Sequence, residues 1–125
     1  MTENEISKKI IDICYKIHVE LGPGLFESVY EEILYYELVQ AGFKVQRQQP
    51  IPVIWKDIKL DKGFKADLIV ENKVLIENKS VASITSVNQK QCMTYIKLAG
   101  LKLGLLINFN EALIKDGITR IVNNL

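Results

Sequence analysis

Apolar residues recur every three or four positions through the N-terminal third of the chain, a spacing that predicts two amphipathic helices. Thr2 and Glu5 have the spacing of a capping box that begins the first helix, and the run Gly22-Pro23-Gly24 ends it. The second helix is predicted from about Leu25 to Ala41. The inward positions of the two helices are Ile6, Ile10, Ile13, Cys14, Ile17 and Leu21, then Phe26, Val29, Ile33, Leu34 and Leu38.

After residue 42 the apolar spacing shortens to two, which is typical of strands. Pro50 and Pro52 indicate that the first strand is an edge strand or contains a bulge. A tight loop, Glu71-Asn72-Lys73, separates the next two strands, because Asn tolerates a positive φ. The segments are predicted as a strand at 43–55, a charged turn at 56–63, and strands at 64–70 and 74–79.

The C-terminal part predicts a helix over 86–99, ended by Gly100, and then a nearly continuous apolar run from Leu101 to Phe109. Such a run suits a strand that is covered on both faces. A last short strand is predicted at 117–122. The order helix-helix-β-β-β-helix-β predicts an α/β (α+β) fold with a central mixed β-sheet flanked by helices, in a single domain of residues 1–125.

Composition excludes several classes of protein. Apolar residues make up 48% and charged residues 25%, values that exclude a disordered, collagen-like or disulfide-knotted chain. Sixteen Lys and Arg face fifteen Asp and Glu, a balance that argues against coating DNA by charge alone. We expect a cytoplasmic protein with no membrane association, since the N-terminus lacks the apolar core of a signal peptide and no apolar run approaches the roughly 20 residues of a membrane span.

The strands around the Glu71–Lys73 loop contain acids where a buried strand normally has none. If that loop has three residues, Val70 pairs with Val74, and Asp67 falls opposite Glu77. Residues opposed on one face of a sheet have Cβ atoms about 5 Å apart. The sequence therefore predicts two carboxylates in close proximity.

Two carboxylates this close repel, and one takes up a proton unless a cation lies between them. A hard divalent ion with oxygen ligands resolves the conflict, and Mg²⁺ is the leading candidate. Lys79 lies two residues after Glu77, so a strand points both side chains to one face. The alternative is an ordinary ion-pair ladder in which Asp67 and Glu77 pair with Lys79 or Lys65.

Two further polar residues come from the helices. Glu27 lies in the first turn of the second helix, where the helix dipole alone favours an acid. Gln91 shares a face of the third helix with Val87, Tyr95 and Leu98, so it is a polar residue on an apolar stripe. The alternative for Gln91 is a buried amide whose hydrogen bonds are made to the backbone.

The segment Leu21-Gly-Pro-Gly-Leu-Phe-Glu-Ser-Val-Tyr30 resembles the signature of the GxxExxY proteins, with Gly24, Glu27 and Tyr30 at the named places. The later blocks that resemble this family in order and spacing are Lys65-Ala-Asp-Leu-Ile-Val70, Val74-Leu-Ile-Glu-Asn-Lys79, Gln91-Cys-Met-Thr-Tyr95 and Gly104-Leu-Leu-Ile-Asn-Phe109. That family is similar to the PD-(D/E)xK nuclease superfamily, whose core is a helix, a strand meander, a helix and a strand.

By this resemblance, Asp67 is the motif aspartate, Glu77 the second acid and Lys79 the motif lysine, while Ala66 stands where the superfamily has Pro. The resemblance implies a Mg²⁺- or Mn²⁺-dependent nuclease-like protein that hydrolyses phosphodiester bonds of DNA or RNA. The implied metal ligands are Glu27, Asp67, Glu77 and the backbone carbonyl of Asn78, and the implied catalytic residues are Asp67, Glu77, Lys79 and Gln91. The alternatives are a non-catalytic module that binds nucleic acid or a protein partner, and a structural domain that uses the fold as a scaffold.

A metal site would change how the charge balance is interpreted. With Glu27, Asp67 and Glu77 assigned to a metal, twelve acids face sixteen bases, so the rest of the chain carries +4. Near-neutrality then stops being an objection to a phosphate substrate, but it still predicts nucleic-acid binding that is weak or selective for a particular structure. The sequence leaves open whether two copies associate as a homodimer.

Overall fold

Helices and strands follow one another in the predicted order in a computed structural model, which describes residues 1–61 and 63–125. The helices are α1 (Glu3–Leu21), α2 (Glu27–Gln40) and α3 (Ser86–Leu98). The strands are β1 (Val45–Trp55), β2 (Ile58–Val70), β3 (Val74–Lys79), β4 (Leu103–Asn108) and β5 (Ile118–Val122), with a 3₁₀ helix at Ile114–Gly117. The protein thus has the predicted α+β fold.

The ends of α1 confirm the predicted capping. The Glu5 N–H donates to Thr2 Oγ1 at 3.2 Å, and the Thr2 N–H donates to the Glu5 carboxylate at 2.8 Å. At the other end Gly22 has a φ of 70°, a conformation that suits a residue without Cβ, and its N–H donates to the His18 carbonyl. Local sequence therefore sets both ends of this helix.

The five strands form one mixed sheet in the order β1-β2-β3-β4-β5. The β3–β4 pair is parallel, and the other neighbouring pairs are antiparallel. β1 is an edge strand, and its register with β2 shifts between Ile51 and Val53, as Pro50 and Pro52 indicate. β4 is buried along its whole length, which confirms the prediction for this apolar run.

The β1–β2 hairpin is longer than predicted. The predicted charged turn over 56–63 is wrong for most of its length, since β2 already begins at Ile58 and the turn between the strands is Lys56 and Asp57. Ile58 pairs with Trp55, and Leu60 pairs with Val53. These apolar residues alternate with charged ones, and that period of two outweighs the high charge of the segment.

Two apolar clusters cover the two faces of the sheet. α1 and α2 pack on one face, with Ile10, Leu34 and Ile76 among the buried residues. α3 packs on the other face, where Cys92 and Ile96 contact the sheet around Leu75. Three predicted inward positions are wrong. Phe26 precedes the first residue of α2 and is 82% exposed, and Leu21 and Val29 are exposed as well.

None of the helices in the described part of the chain combines the length and the apolar character needed to cross a bilayer.

Candidate metal centre

The loop between β2 and β3 places the two strand acids opposite each other. Val70 pairs with Val74 across Glu71–Lys73, which confirms the predicted register. Glu71 and Asn72 have φ values of 54° and 53°, the left-handed conformation that a tight hairpin loop requires. Counting back from Val70 brings Asp67 opposite Glu77, and the Asp67 N–H donates to Glu77 Oε1 at 3.3 Å.

Both oxygens of Asp67 accept hydrogen bonds from neighbouring strands. The Asn78 N–H on β3 donates to Oδ2 at 3.0 Å, and Gln48 Nε2 on β1 donates to Oδ1 at 3.3 Å. Burial nevertheless raises the pKa of Asp67 to about 6, because desolvation outweighs these hydrogen bonds. The nearby charge of Glu31 adds to this increase.

Glu77 is only 8% exposed, although it is an acid in the middle of the fold. Desolvation raises the pKa of Glu77 to about 8, and repulsion from Asp67 contributes as the second cause. Lys79 lowers the pKa of both acids by its charge. The alternative to a metal site, an ion-pair ladder, is not formed, since neither Lys79 nor Lys65 makes a salt bridge with Asp67 or Glu77.

The donor set around Asp67 and Glu77 fits a hard cation. Two carboxylates lie side by side, their negative charge is not neutralised by a salt bridge, and oxygen is the ligand that Mg²⁺ and Mn²⁺ prefer. Within the described residues, no three His, Cys, Asp or Glu side chains converge closely enough to hold a metal ion. The side-chain part of such a site therefore consists of these two acids.

Asn78 joins β3 to the beginning of α2. Its side chain is 2% exposed, and Nδ2 donates to the Glu27 carbonyl at 2.9 Å. Because successive residues of a strand point to opposite faces, Asn78 points toward α2 while Glu77 and Lys79 point toward α3. The side chain of Asn78 thus anchors the helix to the strand that carries the acid and the lysine.

Glu27 lies at the carboxyl end of β3 and is exposed. Its Oε1 accepts a hydrogen bond from the Ser80 N–H at 3.2 Å, which places this carboxylate beside the residue that follows Lys79. It makes no hydrogen bond with Asp67 or Glu77. The structure thus brings Glu27 to the same end of the strand but not into the Asp67–Glu77 pair.

Gln91 is exposed on α3 and makes no hydrogen bond with Asp67, Glu77 or Lys79. The expected apolar stripe around it is not buried, because Val87 and Leu98 are exposed as well. α3 instead approaches the acids through Tyr95. Burial raises the pKa of Tyr95, and the charges of Glu77 and Asp67 raise it further.

Tyr95 stacks on Phe64 of β2, with ring centroids 3.7 Å apart and an interplanar angle of 6°.

Tyr30, the last residue of the segment that begins at Leu21, has a packing role. Its ring stacks on Phe109, and its hydroxyl donates to the Gly22 carbonyl at 2.6 Å. The Gly22–Gly24 turn is held to α2 through this hydroxyl.

Sequence reasoning missed two residues that contact this site, Glu31 and Gln48. Glu31 is 7% exposed, and Gln48 Nε2 donates both to Glu31 Oε1 at 2.8 Å and to Asp67. A signal for Glu31 was present, because it lies three residues before Leu34 and seven before Leu38, on the buried face of α2. No sequence pattern marks Gln48.

Comparison with known proteins agrees with this geometry. The family model described as the PD-(D/E)XK nuclease superfamily matches residues 4–121, nearly the whole chain. No curated protein and no solved structure matches this chain. With acids opposed on β2 and β3, a lysine two residues after the second acid, and a family match of this extent, the chain belongs to the PD-(D/E)XK nuclease superfamily.

Proposed function

We propose that this chain is a metal-dependent hydrolase that cleaves phosphodiester bonds of DNA or RNA. The observation that carries the proposal is the opposed pair Asp67 and Glu77, two largely buried acids whose pKa values are raised by burial and by negative charge nearby. Lys79 lies on the same face as Glu77, two residues further along β3. Maintaining such a pair costs stability, which is typical of a functional site.

The cation would be Mg²⁺ or Mn²⁺, held by Asp67, Glu77 and the backbone carbonyl of Asn78, with Glu27 as a further ligand through water. When bound, it supplies a Lewis acid that polarises the phosphodiester and lowers the pKa of a bound water. Hydrogen bonds to both oxygens of Asp67 fix this carboxylate in advance, so little reorganisation is needed when a ligand arrives.

Lys79 provides the positive charge of the site. Its ammonium group would stabilise the charge that develops on the phosphorane, and it would orient the attacking water. Gln91 would donate a hydrogen bond to that water or to a backbone phosphate. Its exposed position on α3 suits contact with a substrate better than contact with the acids.

A finer family assignment is also proposed, membership of the GxxExxY proteins. Three features support it: Gly24 has a φ of 104°, Glu27 begins α2, and Tyr30 binds back to the preceding turn. The signature thus corresponds to one local structure, the connection between α1 and α2. This connection lies beside the end of β3 that carries Lys79, since Ser80 Oγ donates to the Leu25 carbonyl.

The proposed substrate is a nucleic acid that the protein binds weakly or recognises by its structure. The chain carries a net charge of +1, so counterion release contributes little to affinity. We therefore expect cleavage to depend on features such as single strands or branches rather than on long duplexes.

Calorimetric titration of Mg²⁺ and Mn²⁺ tests the metal site. Wild type is compared with Asp67→Asn and Glu77→Gln, which keep the shape of each side chain and remove its charge. Asp61→Asn is the matched control, because it removes an exposed acid from the same strand as Asp67. Binding heats are expected in wild type and in Asp61→Asn, and loss of binding in the other two. Equal heats in all four proteins would contradict the metal site.

A cleavage screen over single-stranded, duplex and branched DNA and over RNA tests the hydrolase. We expect cleavage that needs a divalent cation and falls by about 10²-fold or more in Lys79→Met, since this variant loses the positive charge. Activity that persists in Lys79→Met and in the presence of a chelator would contradict the proposal. Binding without cleavage would favour the non-catalytic module.

A further inference from the structure

Gln48 has an unusual backbone conformation for its position in a strand. Its φ is 50°, in the left-handed region that residues with a Cβ seldom adopt. Arg47 pairs with Leu68 and Gln49 pairs with Ala66, so the register is the same on both sides of Gln48. Gln48 and Asp67, which lie opposite each other in this register, do not pair. Backbone strain of this kind persists where the surrounding structure requires it, and here it lies opposite the motif aspartate.

The side chain of Gln48 connects two acids from different elements. Nε2 lies 2.8 Å from Glu31 Oε1 on α2 and 3.3 Å from Asp67 Oδ1 on β2. A primary amide nitrogen carries two hydrogens, so one group can donate to both carboxylates. Because the amide is neutral, it holds the two acids and leaves their negative charge intact. A lysine or arginine at this position would neutralise that charge.

Glu31 is itself firmly held. Arg47 Nε donates to its other oxygen, Oε2, at 2.8 Å, and Arg47 Nη1 also binds Glu32 at 2.5 Å. Since Glu31 is anchored on one side, its bond with Gln48 fixes the amide, and the amide in turn fixes Asp67 Oδ1. The Asn78 N–H holds Oδ2 from the opposite strand. Asp67 is thus held from both of its neighbouring strands.

We infer that Gln48 is a positioning residue, which uses its left-handed backbone to place a neutral amide between Glu31 and Asp67 and so fixes the Asp67 carboxylate for a divalent cation. The metal in this inference rests on the proposed function. The positioning of the Asp67 carboxylate by Gln48 does not rest on the proposed function, and it is tested by a separate measurement on the metal-free protein. Positioning groups around metal ligands typically contribute about 10- to 100-fold in metal affinity.

Two variants separate the amide from the backbone. Gln48→Asn keeps an amide and suits a left-handed backbone, but it is one methylene shorter and cannot reach both acids. Gln48→Met keeps the length and removes both donors. Gln46→Met is the matched control, because Gln46 lies on the same strand and makes no hydrogen bond to Glu31 or Asp67.

The first measurement is hydrogen exchange of the Asn78 amide in the metal-free protein, because this N–H donates to Asp67 Oδ2. In both Gln48 variants we expect exchange that is about tenfold faster, while other β3 amides and the Gln46→Met control stay unchanged. Unchanged exchange at Asn78 would overturn the inference. Equally faster exchange along all of β3 would overturn it too, because it would assign Gln48 a general structural role.

The second measurement is Mn²⁺ calorimetry on the same proteins. We expect affinity at least about tenfold lower in both Gln48 variants than in Gln46→Met. If wild type binds no Mn²⁺, the proposed function fails while the exchange result still decides the positioning of Asp67. If wild type binds and the Gln48 variants bind equally well, the positioning of a metal ligand by Gln48 is refuted.

Discussion

Glu77 and Asp67 show how burial sets the charge state of single residues. Each carboxylate accepts a hydrogen bond from a backbone N–H, yet desolvation raises the pKa of Glu77 to about 8 and that of Asp67 to about 6. The two groups are also close enough to repel each other. Near neutral pH, the pair therefore retains a proton that two exposed acids would have lost.

This raised pKa predicts how stability depends on pH. The unfolded chain loses the Glu77 proton near its ordinary pKa of 4.5, whereas the folded protein keeps it to about pH 8. Between these values the folded state binds more protons, so stability falls as pH rises. We expect the metal-free protein to be less stable at about pH 8 than at about pH 5 by roughly 1 kcal/mol or more.

Urea unfolding in the presence of a chelator measures this difference. Glu77→Gln should reduce the pH dependence to the smaller part that comes from Asp67, whose pKa is about 6, while the exposed-acid control Asp61→Asn should keep the full dependence. In wild type, Mg²⁺ should restore stability at the higher pH by binding the ionised pair. A stability that is constant or increases over this range would show that Glu77 ionises normally.

The sequence predicted the opposed acids because their pairing depends on a short count of residues. Three loop residues, Glu71 to Lys73, separate the strands, and this fixes Asp67 against Glu77. Glu31 and Gln48 depend instead on how α2 packs against β1 and on a single left-handed residue. Such contacts follow from the tertiary fold, and Gln carries no marked preference for that backbone.

At the scale of elements, α3 lies close to β4 because of Gly104. A Cβ built on Gly104 would lie 2.9 Å from Cys92 Sγ and 2.9 Å from Ile96 Cγ2. Both of these residues are buried in the cluster under α3. The absence of a side chain at Gly104 therefore allows α3 to pack this close to β4.

Gly104→Ala tests this packing. We expect it to destabilise the protein by about 1–3 kcal/mol, because α3 must shift to admit the methyl group. The double variant Gly104→Ala/Cys92→Ala should lose less than the sum of the two single variants, since removing the thiol makes room. Urea unfolding measures all three, and additive losses would show that the Gly104 and Cys92 positions do not contact each other.

Elements were easier to predict than their ends. The helices α1 and α2 follow from apolar spacing, the buried strand β4 follows from a continuous apolar run, and the start of α1 follows from the spacing of Thr2 and Glu5. The high charge of the segment 56–63 predicts a turn, but the alternation of Ile58 and Leu60 with Lys59 and Asp61 is that of a strand, and β2 begins at Ile58. Alternation reports the backbone conformation, whereas charge reports only exposure to water.

At the scale of the whole molecule, two clusters on opposite faces hold the sheet, and the acids lie where β1, β2 and β3 meet. Glu31 reaches this place from α2, and Tyr95 approaches it from α3. The site thus draws on elements that are distant in sequence. This is why the sequence alone identified the acids and the lysine on β2 and β3, whereas Glu31 on α2 and Gln48 on β1 became visible only in the structure.

The long β1–β2 hairpin carries the only tryptophan of the chain, Trp55, at its tip, where the side chain is 64% exposed. Its indole is already largely in water in the folded state, so unfolding should shift its emission maximum only slightly. We expect far-ultraviolet circular dichroism to report the loss of the helices in urea, while the wavelength of maximum tryptophan emission stays nearly constant. A large red shift on unfolding would contradict this exposure. Tryptophan fluorescence of this protein is therefore an optical sensor of the hairpin tip and of whatever touches it, rather than a probe of the core.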